Sequence, residues 1–200
     1  MHILLTDITT CPRCGPAFGL VLLVDEVRER RVSRGWLACP NCRERYPIRA
    51  GVADLRQGAE AEWGAAPAEA AVQRLVALAG VTTGPGYLLV AGPGAAHAAA
   101  IAGWVPDVEL VTVVAEPASD GDRHNRLASV EALPFRSEVM AGVVLTGGAA
   151  DALLEEGARV LMLIGRLVLQ PVPERAAERL AAAGLRVLAE DGATLVAARR

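Results

Sequence analysis

The chain has 200 residues, 52% of them hydrophobic, with a mean hydropathy of +0.32 and a formal net charge of −3; that is enough apolar content for one sizeable core. All 20 basic residues are arginine, which excludes a Schiff-base lysine, a pyridoxal-phosphate anchor and a P-loop lysine. Residues 1–58 hold nine Arg against six Asp and Glu, net +3, and the remainder holds eleven against seventeen, net −6, so attraction to a polyanion would need a local patch.

The opening Met1-His2-Ile3-Leu4-Leu5-Thr6-Asp7 has no basic n-region and no apolar stretch of signal-peptide length, so a cytoplasmic location is expected. That compartment suits reduced thiols. All four cysteines stand in two matched knuckles, Cys11-Pro12-Arg13-Cys14 and Cys39-Pro40-Asn41-Cys42, with 24 residues between them. Two CxxC turns at such a spacing close a tetrahedral Zn²⁺ site, with Cys11, Cys14, Cys39 and Cys42 as the metal ligands. The alternatives are a pair of disulfides or a redox CxxC, but the latter opens a helix in a βα unit and neither knuckle here begins a helical pattern. Four thiolates leave no open coordination position, so this zinc is expected to be structural and not catalytic.

Between the knuckles, Leu20 to Val24 reads as a strand, Glu26 to Ser33 as a charged continuation or turn, and Gly35 to Ala38 as the approach to the second knuckle. Arg28, Arg30, Arg31 and Arg34, with Arg43, Arg45 and Arg49 on the second knuckle, form either a contact for phosphates or an acidic partner, or a solvated face. After the second knuckle comes Tyr46-Pro47-Ile48-Arg49-Ala50-Gly51-Val52. Together with the apolar start and both CPxC motifs, this stretch resembles the small zinc-ribbon proteins that bind and activate RNA- and protein-modifying methyltransferases. The resemblance covers roughly residues 2 to 56, and Ala50 stands where many relatives carry an Asp.

Residues 57–66 are small and acidic and read as a linker. Pro67 to Ala79 reads as a helix, with Val72, Leu75, Val76 and Leu78 on its apolar face and Gly80 as its stop. The uncharged run from Tyr87 to Val105 reaches membrane-spanning length, but it contains Gly92-Pro93-Gly94 and His97 and is mostly alanine, so strand, tight turn and buried helix are expected and a span is rejected. Strands follow at Glu109 to Ala115, Val139 to Leu145 and within Arg159 to Gln170, with irregular polar sequence between the first two. Helices are expected at Ala149 to Glu156 and Glu174 to Ala183. Leu185 to Ala189 and Thr194 to Ala198 close the chain as a hairpin around Asp191-Gly192. The expected architecture is α/β: a small β-rich zinc ribbon (1–56), a linker (57–66) and a doubly wound, mostly parallel Rossmann-like sheet with an antiparallel hairpin (67–200).

A glycine turn after the first strand of such a sheet lets backbone N–H groups approach a ligand at a helix start. Gly92-Pro93-Gly94 holds that place, and Glu116 ends the next strand 22 residues after Gly94, the usual distance for a carboxylate that takes ribose hydroxyls. With Glu131-Ala132-Leu133-Pro134-Phe135, the stretches at Ala158 to Leu161 and Gly165 to Leu169, and the AAGLRVL tail, residues 85 to 199 resemble the class I S-adenosylmethionine-dependent methyltransferases. The resemblance implies S-adenosylmethionine at Gly92, Gly94 and Glu116.

Several positions depart from that family. Val90 stands where an acid commonly organises the methionine end of the cofactor, Ser129 where an Asp usually contacts the adenine, and Ala95-Ala96-His97 replaces the third glycine. Each polar partner lost from a buried charged ligand costs roughly 1–3 kcal/mol, which moves a micromolar site toward millimolar. Only about two dozen residues, Ala115 to Glu138, separate the second and fourth strands, and Ala118 to Arg123 is turn-like, so the helix beside the adenine pocket is expected to be lost, and the pocket with it. His97 and His124 have no serine elbow, HExxH or carboxylate pair around them, and no general base is evident.

These features lead to a non-catalytic scaffold or regulatory subunit, a pseudoenzyme working through protein contacts with another chain or as a self-associated dimer. The alternatives are an active S-adenosylmethionine-dependent methyltransferase, and an RNA- or ribosome-associated module using the arginine-rich ribbon.

Overall fold

Apolar runs alternate with glycine- and proline-marked turns through most of the chain, and the runs form strands. The computed structural model describes residues 1–117 and 124–199. In the first part lie β1 (Thr10–Cys11), β2 (Gly15–Gly19), β3 (Val21–Arg28), β4 (Arg31–Ala38), β5 (Arg45–Arg49) and β6 (Val52–Asp54). Then come α1 (Glu69–Ala79), β7 (Tyr87–Ala91), α2 (Ala98–Trp104), β8 (Glu109–Val114), β9 (Asn125–Ala128) and β10 (Met140–Thr146). The chain finishes with α3 (Ala149–Ala152), α4 (Leu154–Val160), β11 (Leu161–Gln170), α5 (Ala176–Ala182), β12 (Leu185–Glu190) and β13 (Leu195–Arg199).

One sheet of 11 strands runs through nearly the whole chain in the order β12-β13-β11-β10-β7-β8-β9-β6-β5-β4-β3. The block β6-β9-β8-β7-β10-β11 is parallel, and its central strands are buried on both faces, as parallel strands covered by crossover connections must be. β13 and β12 add antiparallel at one end, and β5, β4 and β3 antiparallel at the other. The strand order reverses direction between β7 and β10, which makes their carboxyl ends the place where such a sheet opens a crevice. On one face, α1 presents Val72, Leu75, Val76 and Ala79 at helical spacing to Leu88, Val144 and Val168; Gly80, left-handed at φ 71°, ends the helix.

The other face is built differently. α4 and α5 lie on it, and the buried cluster runs on into the four-cysteine part of the chain, where Leu5, Leu37, Tyr46 and Ile48 share a core with Val111, Val113, Leu127 and Phe135. Backbone bonds lock this packing. Leu55 N–H donates to Ala128 O (2.9 Å), Thr10 N–H to Pro134 O (2.8 Å) and Arg136 N–H to Ile8 O (2.9 Å). The buried Asn125 amide accepts the His2 N–H at 2.7 Å and donates to Leu110 O at 3.4 Å. Arg159 holds the opposite side of the 133–135 stretch, donating to Leu133 O and Phe135 O (2.8 Å each) while paired with Glu156.

One expectation from the sequence is corrected. The polar stretch between the second and fourth strands is not wholly irregular, because Asn125–Ala128 forms β9 and pairs with β8 on one side and β6 on the other. Its short, half-polar sequence hides the signal, and one of its two edges is filled by β6, far away in the chain. The turn expected at 118–123 lies outside the described residues. The uncharged run from Tyr87 forms β7, a 3₁₀ turn (Pro93–His97) and α2, and among the described residues no helix is long and apolar enough to cross a membrane.

Candidate functional site

The two knuckles bring Cys11, Cys14, Cys39 and Cys42 together with all four sulfurs within 4.8 Å of one another. Cys11 Sγ and Cys42 Sγ are 3.7 Å apart, Cys14 Sγ and Cys39 Sγ 3.8 Å. Disulfide sulfurs stand at about 2.05 Å, so neither pair is bonded, and all four are free cysteines. Edges of about 3.8 Å are what a tetrahedron of metal–sulfur bonds near 2.3 Å requires, so the four thiolates fit a metal ion. Two further side chains reach the sulfurs: the Asn41 amide donates to Cys14 Sγ at 3.3 Å, and the Tyr46 hydroxyl lies 3.4 Å from Cys11 Sγ. Burial, and then the Cys11 sulfur, push the Tyr46 phenol above its ordinary value. Such outer partners orient metal ligands.

The second feature is the crevice at the carboxyl ends of β7, β8 and β9. Gly92 has φ +92°, and a Cβ there would stand 2.1 Å from Thr146 O; only glycine fits. The Gly94 N–H donates to Thr146 Oγ1 (2.8 Å), and that hydroxyl donates to Ala91 O (2.9 Å). The glycines therefore serve the close approach of β7 to β10. Beside them a cavity of about 480 Å³ is walled by Gly92, Ala96, Glu116, Arg126, Glu62 and Trp63, a size ordinary for small-molecule sites. The sequence led us to expect the loss of this pocket; the cavity persists because β9 keeps its place beside β8. Gly92 and Glu116 meet at its wall, with Glu116 exposed, whereas Gly94 is buried against Thr146.

The route of the chain explains why residues 57–66 reach this place. β6 runs parallel to β9, so it delivers the chain to the carboxyl edge of the sheet, and the linker must cross that edge to reach α1. Arg56 secures the exit: it forms two bonds of 2.9 Å to the Asp54 carboxylate and donates to Ala115 O at 3.5 Å. Burial raises the Asp54 carboxyl, but the Arg56 bonds outweigh that and hold it below its usual range. Trp63, only 7% exposed, accepts the Gly148 N–H on its carbonyl at 2.9 Å. A Cβ on Gly147 would lie 2.0 Å from that same oxygen. Farther on, His97 Nε2 donates to Pro67 O at 2.7 Å, which pins the end of the linker to the glycine turn.

Val90 is fully buried on the α1 face, and the Ser129 hydroxyl donates to Ala132 O at 2.6 Å, so neither position offers a polar group to the cavity. His124 precedes β9 and is buried; burial first, then Arg126, Arg31 and the Met1 amino group, push its imidazole down to about 4. Glu62 and Glu116 supply carboxylates at the cavity wall. Among the described residues, positions 90 and 129 supply none of the acidic contacts that the resembling family places there.

The arginine cluster is divided. Arg31 turns toward Glu109 (3.8 Å) and Arg28 toward Glu26 (3.9 Å), while Arg43, Arg45 and Arg49 lie on the second knuckle and β5.

Part of the chain is similar in fold to solved structures. A geranyl diphosphate methyltransferase in complex with SAM superposes at a TM-score of 0.51 and 14% identity, over 60% of this chain and 66% of that one. Precorrin-6y C5,15-methyltransferase from Geobacter metallireducens GS-15 superposes at 0.51 and 15% identity, over 71% of this chain and 94% of that one. The fold is methyltransferase-like. The Haloferax volcanii complex containing the Trm112 methyltransferase activator also matches, at 0.48 and 18% identity, over 60% and 70%. No family model and no curated protein matches the chain.

Trp63, Asn125, Arg126 and the Asp54–Arg56 pair escaped the sequence reading. Only Trp63 carried a signal: a lone large aromatic among Ala, Gly and Glu is a residue with something to bury against.

Proposed function

We propose that this chain is a non-catalytic scaffold or regulatory subunit, in which a structural zinc ribbon is joined in cis to a methyltransferase-like domain. The observation that carries the reading is the seating of Trp63 on Gly148 at 2.9 Å, which lays the chain's own linker across the carboxyl ends of the strands at the point where a cofactor's far end would extend. Val90 and Ser129 add to it, one buried in the core and the other bonded to its own turn. The sulfur spacing supports Zn²⁺ at Cys11, Cys14, Cys39 and Cys42, because a closed four-thiolate tetrahedron is the preferred structural zinc site. The ribbon's last strand is already paired with β9, so it covers its own domain and has no such strand left for a methyltransferase in trans.

The cavity of about 480 Å³ favours a second reading, an active S-adenosylmethionine-dependent methyltransferase with Gly92 and Glu116 at the cofactor. S-adenosylmethionine would supply the transferable methyl group, and this chain's part would be to orient donor and acceptor. No observation favours RNA binding, given the division of the arginine cluster.

Thermal denaturation of the zinc-loaded protein with millimolar S-adenosylmethionine or S-adenosylhomocysteine separates the two readings. A ligand at 100 times its dissociation constant stabilises by about 2.7 kcal/mol, a shift of roughly 5–10 °C for a chain of this size. The scaffold reading expects no shift. A shift abolished by Glu116→Ala would establish the second reading instead.

A further inference from the structure

Residues 57–66 cross the carboxyl edge of the sheet without forming a helix or strand, and among the described residues one hydrogen bond ties them down, Gly148 N–H to Trp63 O at 2.9 Å. Their ends are tethered: Arg56 holds Asp54 and Ala115 O before them, and His97 holds Pro67 O after them. Between the tethers Trp63 is the single buried residue, and its neighbours Glu62, Gly64, Ala65 and Ala66 are exposed. Two glycines stand in left-handed backbone, Gly58 at φ +90° and Gly64 at φ +85°, and at neither would a Cβ meet anything within 4 Å. Such glycines serve the torsion alone and not a close approach, which is what a hinge position needs. The segment also divides a space. On one side Ala61, Glu62, Trp63 and Gly64 wall the cavity of about 480 Å³ that reaches the ends of β7 and β8. On the other, Ala65 and Pro67 wall a second cavity of about 360 Å³ with Thr146, Gly147, Gln170 and Pro171, at the ends of β10 and β11. Pro93 lines both cavities, and Gly147 abuts the Trp63 carbonyl, so the linker and the glycine turn form the partition between them.

We infer that residues 58–64 are a releasable strap: they swing out between hinges at Gly58 and Gly64, withdraw Trp63 from Gly148, and join the two cavities in one crevice along the ends of β8, β7, β10 and β11. The closed strap excludes any ligand long enough to span both cavities, and the open strap admits it. Burial of the Trp63 ring favours closure, but a segment held by one hydrogen bond and one buried side chain opens at far lower cost than the sheet beneath it. This motion is independent of what the crevice binds.

Hydrogen exchange of the zinc-loaded full chain, followed at the Gly148 amide in urea below the unfolding transition, tests it. Gly148 is itself exposed, so the bond to Trp63 is its protection. The expected rate is at least about tenfold faster than those of the β7 and β10 amides and flat in urea, as for an opening that exposes little surface, whereas theirs climb. Gly58→Ala and Gly64→Ala add a methyl to open space and oppose only the closed torsion, so each is expected to raise the Gly148 rate at least about threefold. Circular dichroism verifies that both fold; should either not, Trp63→Phe, which loosens the seat itself, takes its place with the same expectation. A Gly148 rate that climbs with urea in step with β7 and β10 makes the linker a fixed wall and overturns the inference. So does a Gly148 amide with no protection. A rate that either substitution leaves unchanged marks the breathing of a single bond, and overturns it as well.

Discussion

The Trp63 carbonyl and the Gly148 N–H meet at 2.9 Å, a bond between the linker and the carboxyl end of β10 that makes residues 57–66 a wall of the crevice. Gly147, at φ +57° and with no room for a Cβ beside the Trp63 oxygen, is what permits the approach. Gly147→Ala is therefore expected to destabilise the fold by more than about 1 kcal/mol, from left-handed strain and the forced movement of Trp63. Urea denaturation measures this. A loss no larger than that of an exposed Gly→Ala control would mean that the linker is not seated as described.

Thr146 bonds both sides of the glycine turn, accepting from Gly94 and donating to Ala91. Replacing it by the isosteric Val leaves a buried donor and acceptor without partners, at about 1–3 kcal/mol. The same denaturation curves, with hydrogen exchange at the Gly94 amide, report it: faster exchange there is expected, and unchanged protection would argue against the bond.

Removing the metal should do more than melt the ribbon. Because Tyr46 and Leu37 share a core with Leu127 and Phe135, stripping the four thiolates with a chelator is expected to raise amide exchange at β9 and β8 as well as at β4 and β5. Loss confined to residues 1–56 would show two independent units.

His124 is neutral in the folded chain, its imidazole held near 4 against an ordinary 6.5. Between those values the unfolded chain binds the extra proton, so stability is complete above pH 6.5 and declines as pH falls toward 4. Arg126, Arg31 and the Met1 amino group oppose protonation there. His124→Asn should flatten the slope in this window relative to the unsubstituted chain, the acid loss of the zinc thiolates being common to both. Parallel slopes would show that His124 is not the buried group.

How much of this was legible in the sequence follows from the range over which each signal acts. The knuckles, α1 and the apolar strands β7, β8, β10 and β11 are local patterns of spacing and periodicity, and they fold where those patterns put them. β9 was not legible: Asn125-Arg126-Leu127-Ala128 has no strand alternation, and it is a strand only because β8 and β6 flank it. Nor was the linker's place in the crevice, which follows from β6 entering the sheet parallel to β9 and not antiparallel, a choice made by tertiary packing. At the crevice, motif distance singled out Gly92 and Glu116, which both line the cavity, whereas the reason for Gly94, the Thr146 hydroxyl 52 residues away, has no sequence signature.

The central claim is that the crevice does not hold a methyl donor, and titration calorimetry of the zinc-loaded chain with S-adenosylhomocysteine tests it most directly. The scaffold reading expects no binding heat at several temperatures, both for the unsubstituted chain and for Glu116→Ala. Micromolar binding that Glu116→Ala removes would contradict it, and would make this chain a methyltransferase whose acceptor is still to be sought.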